Sequence, residues 1–239
     1  MAVILSIDTS DTACSVALSA EGMILAHREN TEGRNHAALL SGFVKDMLDF
    51  AADKGVRLEA VAVSTGPGSY TGLRIGLSEA KGLAYGLGVP LIGLSTLKVM
   101  ATAVMFGPVC PDPEAILVPM LDARRMEVYT AAYGMALDEL LPPRALVLTE
   151  PGNPYVDLLD TGRPVVFFGN GMPKWREWLG GTAPANAVFV DGVLPLAVDM
   201  LALAEQAYMR CDFLDVAYST PCYLKDFQAT KPRNRVLGH

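Results

Sequence analysis

A strand that ends in an aspartate, followed by a polar turn and a returning strand, occurs twice in this sequence. The first copy runs from Leu5-Ser6-Ile7-Asp8 to Cys14-Ser15-Val16-Ala17-Leu18, and the second from Pro119-Met120-Leu121-Asp122 to Val128-Tyr129-Thr130-Ala131. Each copy opens one half of a chain of 239 residues, a length that suits one large domain or two small lobes. Together with the order of the predicted elements, this echo indicates two related lobes.

Hydrophobic periodicity predicts the order βββαβαβα for the first half and a restart of the pattern after it. In the first half we expect strands at 2–7, 13–19, 23–28, 60–63 and 89–92, and helices at 36–50, 69–85 and 95–105. After a proline-rich connector that begins at Gly107, we expect strands at 115–120, 127–133, 144–148 and 165–168, and helices at 154–160 and 195–210. This order is typical of an α/β protein with mixed sheets flanked by helices. The connector divides it into an N-terminal lobe (1–106) and a C-terminal lobe (107–239).

Composition excludes several classes of protein. Hydrophobic residues make up 51% of the chain and charged residues only 19%, which excludes general disorder. The longest uncharged stretch, Gly82–Leu97, contains Pro90 and four glycines and is too short and too broken to span a bilayer. The N-terminus has no basic region typical of a signal peptide, and the four cysteines are widely spaced. We therefore expect a cytoplasmic protein with reduced thiols and no membrane partner.

The charge distribution bears on nucleic-acid binding. A formal net charge of −7 disfavours direct binding, because neutralisation of phosphates supplies most of the non-specific affinity. The exception is the C-terminal tail, residues 225–239, whose net charge of +3 leaves a net charge of −10 for the rest of the chain. Its charged residues are Lys225, Asp226, Lys231, Arg233 and Arg235. This basic tail is either a solvated terminus, which we favour, or a tether for RNA or an acidic partner.

A glycine-rich run, Ser64-Thr65-Gly66-Pro67-Gly68-Ser69-Tyr70-Thr71-Gly72-Leu73-Arg74-Ile75-Gly76, links a predicted strand to a predicted helix that Ser69 caps. The spacing G-x-G-x-x-x-G is one residue longer than the dinucleotide fingerprint, and the Gly-Lys pair of a P-loop does not occur. The loop is therefore either an anion site at a helix N-terminus or a tight corner between strand and helix.

Small residues recur along the same helix. Gly72, Gly76, Ala80 and Ala84 lie four residues apart and form a ridge with almost no side chains. Because an interior glycine costs ~1 kcal/mol relative to alanine, such a ridge makes sense only if another helix or backbone approaches it closely. Spacing leaves open whether that neighbour belongs to the same chain. The preceding helix carries an apolar stripe wider than one buried face needs, which favours an interface with a second protein.

The histidines offer no catalytic set. His27 lies on a predicted strand, His36 at a helix start and His239 at the terminus. A metal-binding helix needs a second histidine four residues after the first, and Leu40 stands there instead. A Gly-x-Ser-x-Gly nucleophile motif is also absent from the sequence. We therefore expect no metal site.

The two repeated aspartates are the other candidates. A carboxylate at either position could hold Mg²⁺ beside nucleotide phosphates, which makes Asp8-Thr9-Ser10 a possible nucleotide-phosphate turn. The equivalent second turn carries Ala123-Arg124-Arg125, which is bulky and cationic. We favour a structural role there, in which an arginine pairs with Asp122 or Glu127 and fixes the turn.

Four motifs in sequence order also carry a family resemblance: Ile7-Asp8-Thr9-Ser10, the glycine-rich run 64–76, Leu121-Asp122-Ala123-Arg124 with Glu127-Val128-Tyr129, and Pro221-Cys222-Tyr223-Leu224. Together they resemble the TsaB (YeaZ) family, the bacterial scaffold proteins for threonylcarbamoyladenosine synthesis in tRNA. The resemblance covers nearly the whole chain. It implies an actin/Hsp70/sugar-kinase-like (ASKHA) fold of two related lobes.

The resemblance also implies partners. It implies a non-catalytic subunit that binds a TsaD-like catalytic subunit through helices of the N-terminal lobe, while a TsaE-like ATPase joins the complex. ATP and Mg²⁺ would be used by the complex rather than bound by this chain, tRNA would be contacted indirectly, and a homodimer would form when the partner is absent. By this resemblance the partner interface would comprise Gly72, Leu73, Arg74, Gly76, Leu77 and Ala80.

Two other functions compete with the scaffold hypothesis. A small-molecule kinase of the same fold superfamily would use Asp8 to hold Mg²⁺ or a water, but it needs two phosphate turns and the sequence offers at most one. A metallopeptidase needs a metal ligand where Leu40 stands. The scaffold hypothesis predicts that Gly76→Arg abolishes the complex without unfolding the protein.

Overall fold

The computed structural model describes residues 2–33, 35–107 and 112–225, so the tail beyond residue 225, Cys110 and part of the connector lie outside the described residues. The strands are β1 (Ile4–Asp8), β2 (Cys14–Ala20), β3 (Met23–Asn30), β4 (Ala60–Gly66), β5 (Leu91–Ser95), β6 (Ile116–Asp122), β7 (Glu127–Tyr133), β8 (Glu139–Val147), β9 (Val165–Phe168) and β10 (Ala187–Val190). The α-helices are α1 (His36–Asp53), α2 (Tyr70–Leu87), α3 (Thr96–Met105), α4 (Pro154–Asp160), α5 (Met172–Leu179) and α6 (Leu201–Met209). None of these helices combines the length and the apolar character needed to cross a membrane.

The ten strands form two sheets with the same topology. The first sheet has the order β3-β2-β1-β4-β5, and the second has the equivalent order β8-β7-β6-β9-β10. In each sheet the first three strands along the chain pair antiparallel, and the last two add in parallel to the central strand. The central strands β1 and β6 end in Asp8 and Asp122. This repeat confirms the predicted pair of related lobes and the ASKHA fold.

Helices α1 and α2 cover one face of the first sheet. Side chains alternate along β1, so Leu5 and Ile7 pack toward α1 and α2 while Ile4 belongs to the cluster on the opposite face. Each large apolar side chain buried in this way contributes about 1.5–3 kcal/mol. The N-terminus of α2 is capped as predicted, since the hydroxyl of Ser69 accepts a hydrogen bond from the Gly72 N–H at 3.3 Å.

The second sheet has an aromatic core. Tyr155 of α4 lies with its ring centroid 5.3 Å from that of Phe167 on β9 and 5.2 Å from that of Trp175 on α5, both edge to face. Helix α3 packs against the other side of this sheet, where Leu97 and Met100 join a cluster with β6 and β9. A helix of the first half therefore also contributes to the core of the second sheet.

The structure differs from the sequence prediction at four elements of the second half. Strand β8 begins at Glu139 instead of residue 144. Helix α5 and strand β10 were not predicted, because α5 buries only Met172 and Trp175 and β10 has four residues, too few for a clear period. The predicted helix 195–210 is shorter, since a 3-10 turn occupies Ala197–Met200 and α6 begins at Leu201. Both the 3-10 turn and α6 pack on the first sheet.

After α6 the chain runs back along the first lobe. We call residues 214–225 the C-terminal strap. Its Leu214 N–H donates to the Leu91 carbonyl at 2.8 Å, and its Cys222 N–H donates to the Thr65 carbonyl at 2.7 Å. Lys81 of α2 donates to the carbonyls of residues 217 and 219 at 3.1 and 2.8 Å. Residues 197–225 thus contact the first sheet and α2, while the lobe boundary at 106/107 stays a prediction.

Candidate functional site

Asp8 ends β1 in a fully buried position. Ser10 donates two hydrogen bonds to Asp8 Oδ1, from its N–H at 2.9 Å and from its hydroxyl at 2.8 Å, and the Ser64 hydroxyl donates to Oδ2. Burial raises the pKa of Asp8 to about 6, although these hydrogen bonds act in the opposite direction. The carboxylate therefore holds the turn after β1 to strand β4.

The turn after β1 lies directly beneath the start of α2. The Thr9 hydroxyl donates to the Gly72 carbonyl at 2.8 Å, and the Ser69 N–H donates to the Ser10 carbonyl at 2.7 Å. A Cβ added to Gly68 would lie 2.2 Å from that Ser10 carbonyl oxygen, so only glycine fits. The glycine-rich loop is thus a tight corner between strand and helix. The predicted phosphate turn, residues 8–10, is buried beneath it, and phosphate binding there stays a prediction.

The small-residue ridge of α2 has its neighbour within the same chain. A Cβ on Gly72 would lie 2.1 Å from the carbonyl oxygen of Thr9, and a Cβ on Gly76 would lie 2.2 Å from Thr9 Oγ1. The turn after β1 is therefore the backbone whose close approach the ridge requires. This corrects the expectation that Gly76→Arg leaves the fold intact, because the new side chain has no room.

The other residues of the predicted interface are distributed in the same way. Leu73, Leu77 and Ala80 are buried, and among the six predicted residues only Arg74 is exposed. A partner cannot touch the buried five without unfolding α2 from its sheet. The interface with a partner stays a prediction.

A second set of small residues lies on the exposed side of α2. Ser78, Gly82 and Gly86 follow Arg74 at intervals of four residues, and all four are exposed. A Cβ added to either glycine, or to Gly42 on the exposed side of α1, would meet nothing within 4 Å. We define the outer face as Arg74, Ser78, Gly82 and Gly86 of α2 together with the exposed Ala38, Ser41 and Gly42 of α1. Its glycines cost helix stability, and no contact within the described residues requires them.

A groove of about 500 Å³ separates α1 from α2. Leu40 and Ser41 line one side, and Tyr70, Arg74 and Ile75 line the other. The Arg74 guanidinium lies 4.3 Å from the centroid of the Tyr70 ring, a cation–π distance. Its Nε donates to the hydroxyl of residue 223 at 3.0 Å, so the end of the C-terminal strap borders this groove.

Asn170 joins the two lobes at the cleft between them. Its Nδ2 donates to both carboxylate oxygens of Asp11, at 2.9 and 2.8 Å, and its Oδ1 accepts from the Asp122 N–H at 2.7 Å. Asp11 lies in the turn after β1, and Asp122 ends the equivalent strand β6. The side-chain amide therefore clamps the two repeated turns together.

Lysines pair with the acids of the second turn. Lys174 of α5 forms an ion pair with Asp122, and Lys225 of the strap lies 2.6 Å from Glu127 Oε2. The expectation that an arginine side chain pairs with these acids is therefore wrong. Asp122 does fix the turn, but through a hydrogen bond of 2.6 Å from the backbone N–H of Arg124.

His36 has a structural contact. It begins α1 in a buried position, and its Nε2 lies 2.9 Å from the Asp11 carbonyl oxygen, to which it donates. Leu40, one turn later, is buried in the core. Across residues 2–33, 35–107 and 112–225, no three acidic, histidine or cysteine side chains lie close enough together to hold a metal ion. His239 lies outside the described residues.

Comparison with known proteins identifies the family. A family model described as "TsaD: tRNA N6-adenosine threonylcarbamoyltransferase" matches residues 24–220. The "tRNA threonylcarbamoyladenosine biosynthesis protein TsaB" of Escherichia coli is 33% identical, with 95% of this chain and 96% of that protein aligned. The chain belongs to the TsaB family. The TsaB protein of Bacillus subtilis is 31% identical over 74% of each chain.

Solved structures agree with membership of the TsaB family. YeaZ from Pseudomonas aeruginosa superposes with a TM-score of 0.74 at 28% identity, covering 94% of this chain and all of that one. A second structure from the same organism, described as similar to peptidase YEAZ, has a TM-score of 0.76 at 28% identity and the same coverage. The two-lobe arrangement thus extends over nearly the whole chain.

For this TsaB family member, sequence reasoning did not distinguish the buried face of α2 from its exposed face. Spacing of four residues describes the buried ridge and the outer face equally well, because the two lie on opposite sides of one helix. The available signal was that Gly82 and Gly86 continue the spacing of Arg74 rather than that of Gly76. The Asn170 clamp had no local signal, since its partners lie 48 and 159 residues away.

Proposed function

We propose that this chain is a non-catalytic subunit in the synthesis of N6-threonylcarbamoyladenosine in tRNA, and that its outer face binds a TsaD-like catalytic subunit. Two curated relatives, at 33% and 31% identity, carry threonylcarbamoyladenosine biosynthesis in their names. A TsaE-like ATPase would join the complex, and a homodimer through the same face would form without the partner.

The exposed glycines of α1 and α2 carry this proposal. A glycine within a helix lowers its stability, so an exposed one needs another reason to be there. Close approach of a partner helix supplies that reason, because helices pack most closely where side chains are smallest. Tyr85, on the next turn of α2, and Tyr218 of the strap are 84% and 85% exposed. Exposed tyrosines of this kind are the side chains that commonly anchor an interface.

The kinase alternative has less support. A phosphate turn needs free backbone N–H groups and room for the ligand. Here the turn of residues 8–10 is buried, and Gly68 and Gly72 of the same chain press against it. Asp8 is also already bound by Ser10 and Ser64.

Light scattering of the purified chain with and without its TsaD-like partner tests the proposal. We expect a homodimer alone and a one-to-one complex after mixing. A chain that remains unchanged by the partner, at concentrations well above those of the cell, would contradict the scaffold function. Release of a phosphorylated small molecule from ATP by the isolated chain would favour the kinase instead.

Gly82→Arg tests the face. The added side chain projects into open space, so the fold should persist, while the large cation should block close approach. Loss of a central interface contact costs about 2 kcal/mol or more, which corresponds to about a thirtyfold weaker complex. Gly181→Arg is the matched control, because a Cβ there also meets nothing within 4 Å and the residue lies next to α5, away from the outer face. Equal binding by the two variants would exclude the outer face.

A further inference from the structure

The turn between β6 and β7 has an unusual backbone. Arg124 and Arg125 both have positive φ, 69° and 50°, a conformation that is unfavourable for residues with long side chains. The turn is held in place by its own hydrogen bonds, from Ala123 N–H to the Glu127 carbonyl at 3.1 Å and from Glu127 N–H to the Arg124 carbonyl at 3.2 Å. Strained residues of this kind cluster at active sites, ligand clamps and switch regions, although positive φ also occurs here at Glu21, Leu137 and Cys211.

The two guanidinium groups have no intramolecular partners in the described part of the chain. The nearby carboxylates of Asp122 and Glu127 are already neutralised by Lys174 and Lys225. Both arginines are exposed, and neither side chain forms a hydrogen bond or ion pair with a described residue. Four cations and two carboxylates therefore give this turn a local charge of +2 in a chain whose net charge is −7.

We infer that the Arg124-Arg125 turn binds the phosphate backbone of RNA. The identity of this RNA as the substrate tRNA rests on the proposed function above. Guanidinium groups present paired N–H donors that match phosphate oxygens, and phosphate contacts position a protein on nucleic acid. The sequence after Lys225 also carries three cations, Lys231, Arg233 and Arg235, and one carboxylate, Asp226. A run of cations suits a polyanion better than it suits a single carboxylate on a protein.

One further acid lies at this end of the cleft. Asp11 of the first lobe accepts two hydrogen bonds from the neutral side-chain amide of Asn170, which orient its carboxylate without neutralising it. With this carboxylate counted, four cations and three carboxylates still leave a local charge of +1.

Salt dependence of tRNA binding tests the inference. The double variant Arg124→Gln/Arg125→Gln is compared with the wild type by fluorescence anisotropy of labelled tRNA, for the chain alone and for its complex with the TsaD-like subunit. Each lost phosphate contact lowers the slope of log K against log salt by about 0.7–0.9, so we expect a decrease of about 1.4–1.8. Between 50 and 200 mM salt the wild type should thus lose about tenfold more affinity than the variant.

Two further variants separate charge, geometry and folding. Arg57→Gln/Arg210→Gln removes the same charge from exposed sites elsewhere and should keep the wild-type slope. Arg124→Lys/Arg125→Lys keeps the charge and should keep the slope while weakening binding a few-fold, because lysine lacks the fork of donors. The inference is overturned if the turn variant keeps the wild-type slope or if the wild type binds no tRNA at low salt in either form. It is also overturned if the variant loses the protein partner but not tRNA.

Light scattering and the salt dependence of tRNA binding distinguish a failure of the scaffold function from a failure of the RNA contact. A failure of the scaffold function shows as a wild-type chain that forms no complex in light scattering. A failure of the RNA contact shows as an unchanged salt slope, whether or not the complex forms. Each result is read on a different instrument and from a different variant.

Discussion

Replacing Gly82 by alanine should stabilise the protein, whereas the same replacement at Gly76 should destabilise it, although both glycines lie within α2. Alanine is favoured over glycine in a helix interior by about 0.8–1.0 kcal/mol, and this gain applies at both positions. At Gly82 the new methyl group meets nothing within 4 Å, so the whole gain should appear in the free energy of unfolding. For a chain of this size, about 1 kcal/mol raises Tm by about 2–4 °C.

At Gly76 the same methyl group would lie 2.2 Å from Thr9 Oγ1. Thr9 is buried and stiff at χ1, and its hydroxyl donates to the Gly72 carbonyl, so it cannot swing aside without losing that bond. Overpacking costs about 1–3 kcal/mol, and a buried hydrogen bond left unmade costs about 1–3 kcal/mol more. After subtraction of the helix gain, Gly76→Ala should lower stability by about 1–5 kcal/mol.

Urea unfolding followed by circular dichroism at 222 nm measures both variants. Unchanged m values would show that the folded and unfolded states are comparable in the three proteins. Gly42→Ala, on the exposed side of α1, provides a second position that should be stabilised. Loss of stability in Gly82→Ala, or a gain in Gly76→Ala, would refute the division of α2 into an inner ridge and an outer face.

Three more changes test other parts of the structure. Burial and the nearby Asp8 raise the pKa of Asp199 to about 7, so the wild type should become more stable as the pH falls from 8 to 5. Asp199→Asn should flatten this pH dependence, measured by urea titration at each pH. At pH 8 the variant should be more stable than the wild type by about 1–2 kcal/mol. Asn170→Ala removes the donor to both oxygens of Asp11 and the acceptor of the residue 122 amide, and should speed hydrogen exchange of that amide more than tenfold. An unchanged rate would show that the clamp does not hold the lobes together. Lys81→Met frees two carbonyls of the C-terminal strap and should speed exchange of the residue 222 amide, with unchanged rates in β1 as the control.

The sign of the pH effect follows from the direction of the shift. A carboxyl group whose pKa is higher in the folded state binds protons more readily there than in the unfolded chain, where an aspartate titrates near 3.9. Folding is therefore favoured by acidification through the range from about 7 to about 4. The buried Asp8, with a pKa of about 6, acts in the same direction.

The sequence was sufficient for the repeat, the order of elements in the first half and most helix bounds. These features follow from local periodicity and from turn residues, as at Ser69, where the cap forms as expected. The resemblance to the TsaB family was also correct, because its motifs are runs of adjacent residues.

What the sequence could not supply depends on contacts between distant residues. The inner and outer faces of α2 have the same spacing, and only the position of Thr9, 63 residues from Gly72, distinguishes them. The pairing of Asp122 and Glu127 was wrongly assigned to adjacent arginines, because Lys174 and Lys225 lie 52 and 98 residues away. Local reasoning pairs each acid with the nearest opposite charge in the sequence, whereas in the folded chain both acids pair with lysines that are distant in the sequence.

Residues 197–214, which lead into the C-terminal strap, also determine when the first lobe can be completed during translation. Residues 197–204 fill one face of the first sheet, and Leu214 pairs with the edge strand β5 at Leu91. A ribosome that has released only the first hundred residues therefore presents a sheet with one bare apolar face and an open edge. Such a nascent sheet is prone to aggregate until residues 197–214 have emerged.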